Sequence, residues 1–90
     1  MNKIIITVVG KDTVGIIAKV CTYLSEHKVN ILDISQTIVQ DYFNMMMVVD
    51  ASEADVDFDA LSEALDGIGH EIGVNIRAQR EEIFDSMHRV

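Results

Sequence analysis

The 90-residue sequence contains no proline and no tryptophan, and its single cysteine, Cys21, has no partner for an internal disulfide. A reducing compartment is the expectation, and transport of a soft metal, which needs paired thiolates, is not. Basic residues are scarce, with seven lysines and arginines against fifteen acids. No apolar run approaches the 18 or so residues of a membrane span, and no basic leader with an apolar stretch and cleavage site is found. The expectation from these absences is a soluble, cytoplasmic protein with no membrane partner.

What is present points to one domain spanning residues 1–90. Apolar types make up 49% of the chain, charged types 24%, and the mean hydropathy is +0.22, which excludes disorder and collagen-like repeats. A chain this short buries only about 60–65% of its unfolded surface, so a partner surface is an expected source of extra stability. The charge is unevenly spread. Residues 1–45 are balanced, four lysines against four acids, while residues 46–90 carry three arginines against eleven acids and hence the whole net charge of −8. From Asp50 to Glu71 there are eight acids and no lysine or arginine, a stretch that repels phosphate backbones and anionic lipid. No nucleic acid partner is expected.

The periodicity reads as six elements. Lys3–Val9 (KIIITVV) is a β-branched strand that Gly10 is expected to end. Asp12 or Thr13 is placed to cap a helix whose stripe runs Val14, Ile17, Ala18, Cys21, Leu24, widened by Ile16, Val20 and Tyr23 beyond what one sheet contact requires. Asn30–Gln40 alternates as a second strand, Asp41 and Tyr42 turn the chain, and Phe43–Asp50 returns with Phe43, Met45, Met47 and Val49 on one face. Asp57 is placed to cap a helix carrying Phe58, Leu61, Leu65, Ile68 and Ile72, and Val74–Gln79 is the last strand.

The order βαββαβ predicts an α+β, ferredoxin-like sandwich: a four-stranded antiparallel sheet with both helices on one face. Its core is expected over residues 3–79. The other face, with Ile5, Val9, Met46 and Val48, is then bare. In the extension 80–90, Ile83, Phe84, Met87 and Val90 fall at helical spacing, which predicts a short C-terminal helix able to cover that face in cis or across a dimer.

A fold of this kind hosts many functions, so the site must decide. An RNA-recognition version needs exposed aromatic and basic residues on the central strands. An acyl-phosphate hydrolase needs an arginine in the first strand–helix loop, where this chain has Lys11. Asp55, Asp57 and Asp59 repeat like the start of a calcium loop, but Ala60 stands where the turn needs glycine. His27, His70 and His88 lack ligand spacing, and no serine lies in the context of an activated nucleophile. No catalytic residue, metal site or cofactor is expected. One feature survives: the junction Gly10–Ile16 joins a strand end to a helix start, where free amide N–H groups can bind a carboxylate. Gly15 at that place means either unusual backbone angles or the close approach of a ligand or another backbone.

The ordered set Gly10-Lys11-Asp12-x-x-Gly15-Ile16, Ala18, Leu24 and Val29-Asn30-Ile31 resembles the ACT domain family, and the tail Glu81-Glu82-Ile83-Phe84 with Met87-His88-Arg89 is similar to that of small stand-alone members akin to modules of the glycine-cleavage repressor type. The resemblance covers residues 3 to about 79. It implies a non-catalytic regulatory module that pairs into a homodimer with one eight-stranded sheet and binds a small amino acid or related metabolite at the interface. It further implies a site made by Lys11, Asp12 and Gly15 of one chain with Asn30 and the Ile31 backbone of the other. In that arrangement the helix amides and Lys11 take the ligand carboxylate, Asp12 its ammonium, and Asn30 fixes its orientation. Val14 replaces the proline many members carry, and Asp12 replaces an amide. Any output then acts through an unidentified protein partner; a ligand-free dimerisation or protein-interaction module is the alternative.

Overall fold

Six consecutive β-branched residues, Ile4 to Val9, give strand β1 (Lys3–Lys11) its extended backbone and its central position in the fold. The computed structural model, which describes residues 2–11 and 15–82, continues with helix α1 (Ile16–Glu26), strands β2 (Asn30–Val39) and β3 (Tyr42–Asp50), helix α2 (Phe58–Ile72) and strand β4 (Asn75–Arg80). The sheet order is β2-β3-β1-β4 and every pairing is antiparallel. The βαββαβ, ferredoxin-like expectation is therefore met. Most of the predicted C-terminal helix, residues 83–90, lies outside the described residues.

Alternation along the strands sorts their side chains between two faces. Ile4, Ile6 and Val8 of β1 and Phe43, Met45, Met47 and Val49 of β3 are buried together with Ile76 of β4. Onto them α1 sets Ile16, Val20 and Leu24, and α2 sets Leu61 and Leu65. Each such side chain contributes about 1.5–3 kcal/mol by leaving water. No polar or charged side chain is buried among the described residues, so the core holds together by packing alone. α1 lies beside β2, and α2 lies over β4.

Several local expectations are corrected. β1 does not stop at Gly10, which pairs with Phe43 while Lys11 pairs with Tyr42. Gly10 is there for space, since a Cβ on it would stand 2.6 Å from Val74 Cγ1. Gly15 stands at the N-cap position of α1, and Asp12 and Thr13, the expected caps, lie outside the described residues. The buried stripe is Ile16–Val20–Leu24, and Ile17 and Ala18 point to solvent. The helix is apolar on most of its circumference, so spacing alone could not choose the face that meets the sheet. The hairpin turn is Gln40–Asp41, with Gln40 at φ 56°, and Tyr42 already belongs to β3. The Asp57 cap holds, its Oδ1 accepting from Ala60 N–H at 2.8 Å.

Candidate functional site

At the end of β1, Lys11 is exposed beside Tyr42, one strand position beyond Gly10. Asp12 lies outside the described residues. The chain re-enters at Gly15, whose φ of 93° and ψ of −2° are left-handed, a region a Cβ makes costly. Among the described residues no atom lies within 4 Å of where that Cβ would be. Backbone angles therefore account for the glycine within one chain, and the space beside it stays open. The Gly15 carbonyl accepts from Lys19 N–H at 2.9 Å and starts the helix. Among the described residues no side chain caps this end and no acid occupies the first turn. The first-turn amides thus keep their capacity for an anion.

The second half of the predicted site is built where α1 ends. His27 and Lys28 close the helix, with Lys28 at φ 62°, and Val29 N–H returns to the Leu24 carbonyl at 2.9 Å, which buries Val29 and aims the chain into β2. Asn30 is exposed at the first position of β2, and Ile31 is half-buried. A bulge at Leu32 follows, between the pairs Ile31–Val49 and Asp33–Val48. An open groove runs past Cys21, Ser25, Lys28, Asn30 and Ile31. Ser25 and Lys28 of that groove were not among the sequence-predicted residues. Their only signal was proximity in sequence to Asn30, which does not reveal that they share its groove.

One chain does not bring the two halves together. Asn30 pairs with Asp50, which pairs with Lys3, whereas Lys11 pairs with Tyr42 at the other end of the same strands. Eight steps along a strand are about 26 Å. Beside Asn30, Asp50 is held as a carboxylate: Ser52 donates to its Oδ1 from Oγ at 2.6 Å and from N–H at 3.0 Å, and Asn2 N–H donates at 3.3 Å. These bonds, the Ser52 hydroxyl first, lower its pKa below the usual aspartate value.

Other charged groups serve the frame. Lys19 Nζ donates to Glu71 at 2.6 Å, joining α1 to α2 and lowering the Glu71 pKa. His27 Nδ1 lies 2.8 Å from Asp55 Oδ1, and the Tyr23 ring packs on the His27 ring at 4.4 Å. Burial first, and the Asp55 charge second, raise the Tyr23 pKa. This cluster spans 28 residues of sequence between His27 and Asp55, so no motif announces it. Among the described residues no group of histidines, cysteines or acids is arranged to hold a metal. Cys21 packs half-buried against the core. No helix among them is long and apolar enough to cross a membrane.

Comparison with known proteins agrees with this fold. The sequence profile of the ACT domain matches residues 2–79. A UPF0237 protein of Bifidobacterium longum is 68% identical over 90 residues, covering 100% of both chains. The solved structure of an ACT domain protein from Streptococcus pneumoniae superposes with a TM-score of 0.81 at 44% identity, covering 97% of this chain and 98% of that one. The regulatory subunit of aspartate kinase from Thermus thermophilus, in its ligand-free form, gives a TM-score of 0.66 at 25% identity, with 87% of this chain matching 50% of that one.

Proposed function

The chain belongs to the ACT domain family, and from that premise we propose that it is a non-catalytic, homodimeric regulatory module that binds a small amino acid or related metabolite between its subunits. The similarity to a regulatory subunit of an amino-acid kinase supports the regulatory reading. The observation that carries the assembly is the asymmetry of the two sheet edges. β4 is six residues long and bears Asn75, Arg77, Gln79 and Arg80. β2 is ten residues long, has no lysine, arginine or proline, and exposes Leu32, Ile34, Ile38 and Val39, with Ile38 58% exposed. Past the bulge at Leu32, Asp33 is the one charge on this edge, and a long edge with so many exposed apolar side chains is a template for another strand. Ile17 on α1 is a further exposed apolar side chain.

Pairing β2 with a second β2 about a two-fold axis runs the strands antiparallel and extends the sheet to eight strands with all helices on one side. The start of one β2 then meets the end of the other. Val39 ends β2 and pairs with Tyr42, which pairs with Lys11. Asn30 of the partner subunit thereby comes to the end of the sheet that carries Lys11 and the start of α1. The first-turn amides and Lys11 receive the ligand carboxylate, and Asn30 of the partner subunit orients the ligand through its amide. Asp12 takes the ammonium.

A thermal-shift screen against the twenty amino acids, at fixed protein concentration, tests this reading. At least one is expected to raise the melting temperature, because a ligand that binds only the folded dimer stabilises it by mass action. Asn30→Ala is expected to weaken that ligand about tenfold, the worth of one good polar contact, with the dimer intact by sedimentation. A flat screen with an intact dimer assigns the chain to ligand-free dimerisation, and a monomer at working concentration refutes both readings.

A further inference from the structure

Both helices are closed by a residue in the left-handed region, but the residues differ: α2 uses Gly73 at φ 89°, whereas α1 is followed by Lys28 at φ 62°. Glycine is the ordinary choice there, because a Cβ makes that conformation costly. Lys28 also stands apart in its charge. Lys3 lies 3.9 Å from Glu81 and Lys19 lies 2.6 Å from Glu71, yet among the described residues no acid pairs with Lys28, in a chain of fifteen acids against seven bases. It lines the groove at the end of α1 with Ser25, Asn30 and Ile31, and none of the described residues lining that groove is acidic. The acid across the strand pair from Asn30, Asp50, takes hydrogen bonds from Ser52 and Asn2. The groove therefore presents an ammonium, a hydroxyl and a carboxamide without a negative charge.

We propose that the ligand is a dicarboxylic amino acid whose side-chain carboxylate is taken by Lys28 of the partner subunit, an assignment that rests on the dimer-interface reading above. β2 begins two residues after Lys28. The two-fold pairing that carries Asn30 of the partner subunit to the start of α1 therefore carries Ser25 and Lys28 of the partner subunit with it. One wall of the site is then Lys11 with the first-turn amides of α1, and the other is Lys28, Ser25 and Asn30 of the partner subunit. Both walls favour negative charge. A neutral amino acid has one carboxylate for two such walls and leaves one of them without a counter-charge between the subunits, whereas a dicarboxylate supplies an anion to each and makes a charge-assisted hydrogen bond at both. Lys28 also lies at the negative end of α1, where a cation is favourable with or without ligand. Ligand selectivity, not stability, is thus the property that separates the two roles.

Calorimetric titration of the full chain with L-aspartate, L-glutamate, L-asparagine and L-glutamine tests the assignment. One of the two acids is expected to bind at least about tenfold more tightly than its own amide, which has the same shape without the charge. Lys28→Gln is expected to bring that ratio to within about threefold, chiefly by weakening the acid, while Lys28→Arg keeps the preference because it keeps the charge. Arg77→Gln removes one positive charge from β4, at the opposite sheet edge, and is expected to leave the ratio unchanged. A ratio unaltered in Lys28→Gln, or tighter binding of an amide or of any other neutral amino acid, overturns the assignment and leaves the dimer-interface reading standing. No binding by any of the twenty amino acids, with the dimer intact, overturns both.

Discussion

Three glycines offer one chemical change, glycine to alanine, with opposite expected signs. Gly15 has φ 93°, and a methyl group there meets no atom of the described residues within 4 Å, so the cost is in the backbone, about 1–2 kcal/mol for holding an L-residue in a left-handed conformation. Gly67 sits exposed within α2, with no positive φ and no atom within 4 Å, so alanine there removes unfolded-state entropy and stabilises by about 0.5–1 kcal/mol. Gly69 is buried in the same helix, where a Cβ would stand 2.7 Å from the Val74 carbonyl oxygen and 3.2 Å from Ile76 Cγ1, so α2 must lift from β4 at a cost of about 1–3 kcal/mol. Urea unfolding at one fixed protein concentration reads all three. With a slope near 1 kcal/mol per molar urea, the midpoint falls by roughly 1–2 M for Gly15→Ala and rises by roughly 0.5–1 M for Gly67→Ala. If Gly15→Ala matched Gly67→Ala in sign, the left-handed cap would not be the native state of that residue. The same variant also separates the two reasons for a glycine at the site, because loss of ligand binding beyond the loss of stability shows that a ligand occupies the open space beside it.

Asp57→Ala removes the bond to Ala60 N–H and is expected to lower stability by about 1 kcal/mol, with Asp57→Ser recovering most of it in the same assay. Acid titration of the fold should show a contribution from Asp50 and Glu71. Both have folded pKa values held below their unfolded ones, so the stability they supply is present above the ordinary carboxylate range and lost as pH falls through the folded values. Ser52→Ala, which removes the largest cause of the Asp50 shift, is expected to flatten the acid limb below about pH 4. At the alkaline end the sign reverses for Tyr23. Its raised pKa favours the neutral phenol in the folded state, so stability declines above about pH 10, and Asp55→Asn, which removes the second cause of the rise, makes that decline shallower.

Within the sequence, what was legible was set by local chemistry. Six β-branched residues in succession could only be accommodated as a strand, the Phe43–Met45–Met47–Val49 alternation identified a buried face, and Asp57 followed by Leu61 and Leu65 marked a helix start and its core stripe. With the element order, these determined the topology. The junction at Gly15 was legible as unusual, because glycine in a helix start has a cost that must be offset. Its geometry was not, since φ 93° could have been replaced by a close approach, and only coordinates separate the two. The stripe of α1 was undetermined for the same kind of reason: apolar residues on most of its circumference satisfy several faces, and packing on the sheet selects Ile16, Val20 and Leu24, which join one core with Phe43, Met45 and the other buried strand residues.

Tertiary structure alone decided which residues are neighbours across long sequence separations. It set His27 against Asp55, let Val74 approach Gly10 and Gly69, and gave one sheet edge a short polar strand and the other a long one with exposed Leu32, Ile34, Ile38 and Val39. It also put Lys11 and Asn30 at opposite ends of the same sheet, so the proposed site needs a second chain to bring them together. Periodicity records only which side of its own element a residue occupies. Distance between elements depends on strand order and register, which are settled when all the apolar faces are buried at once.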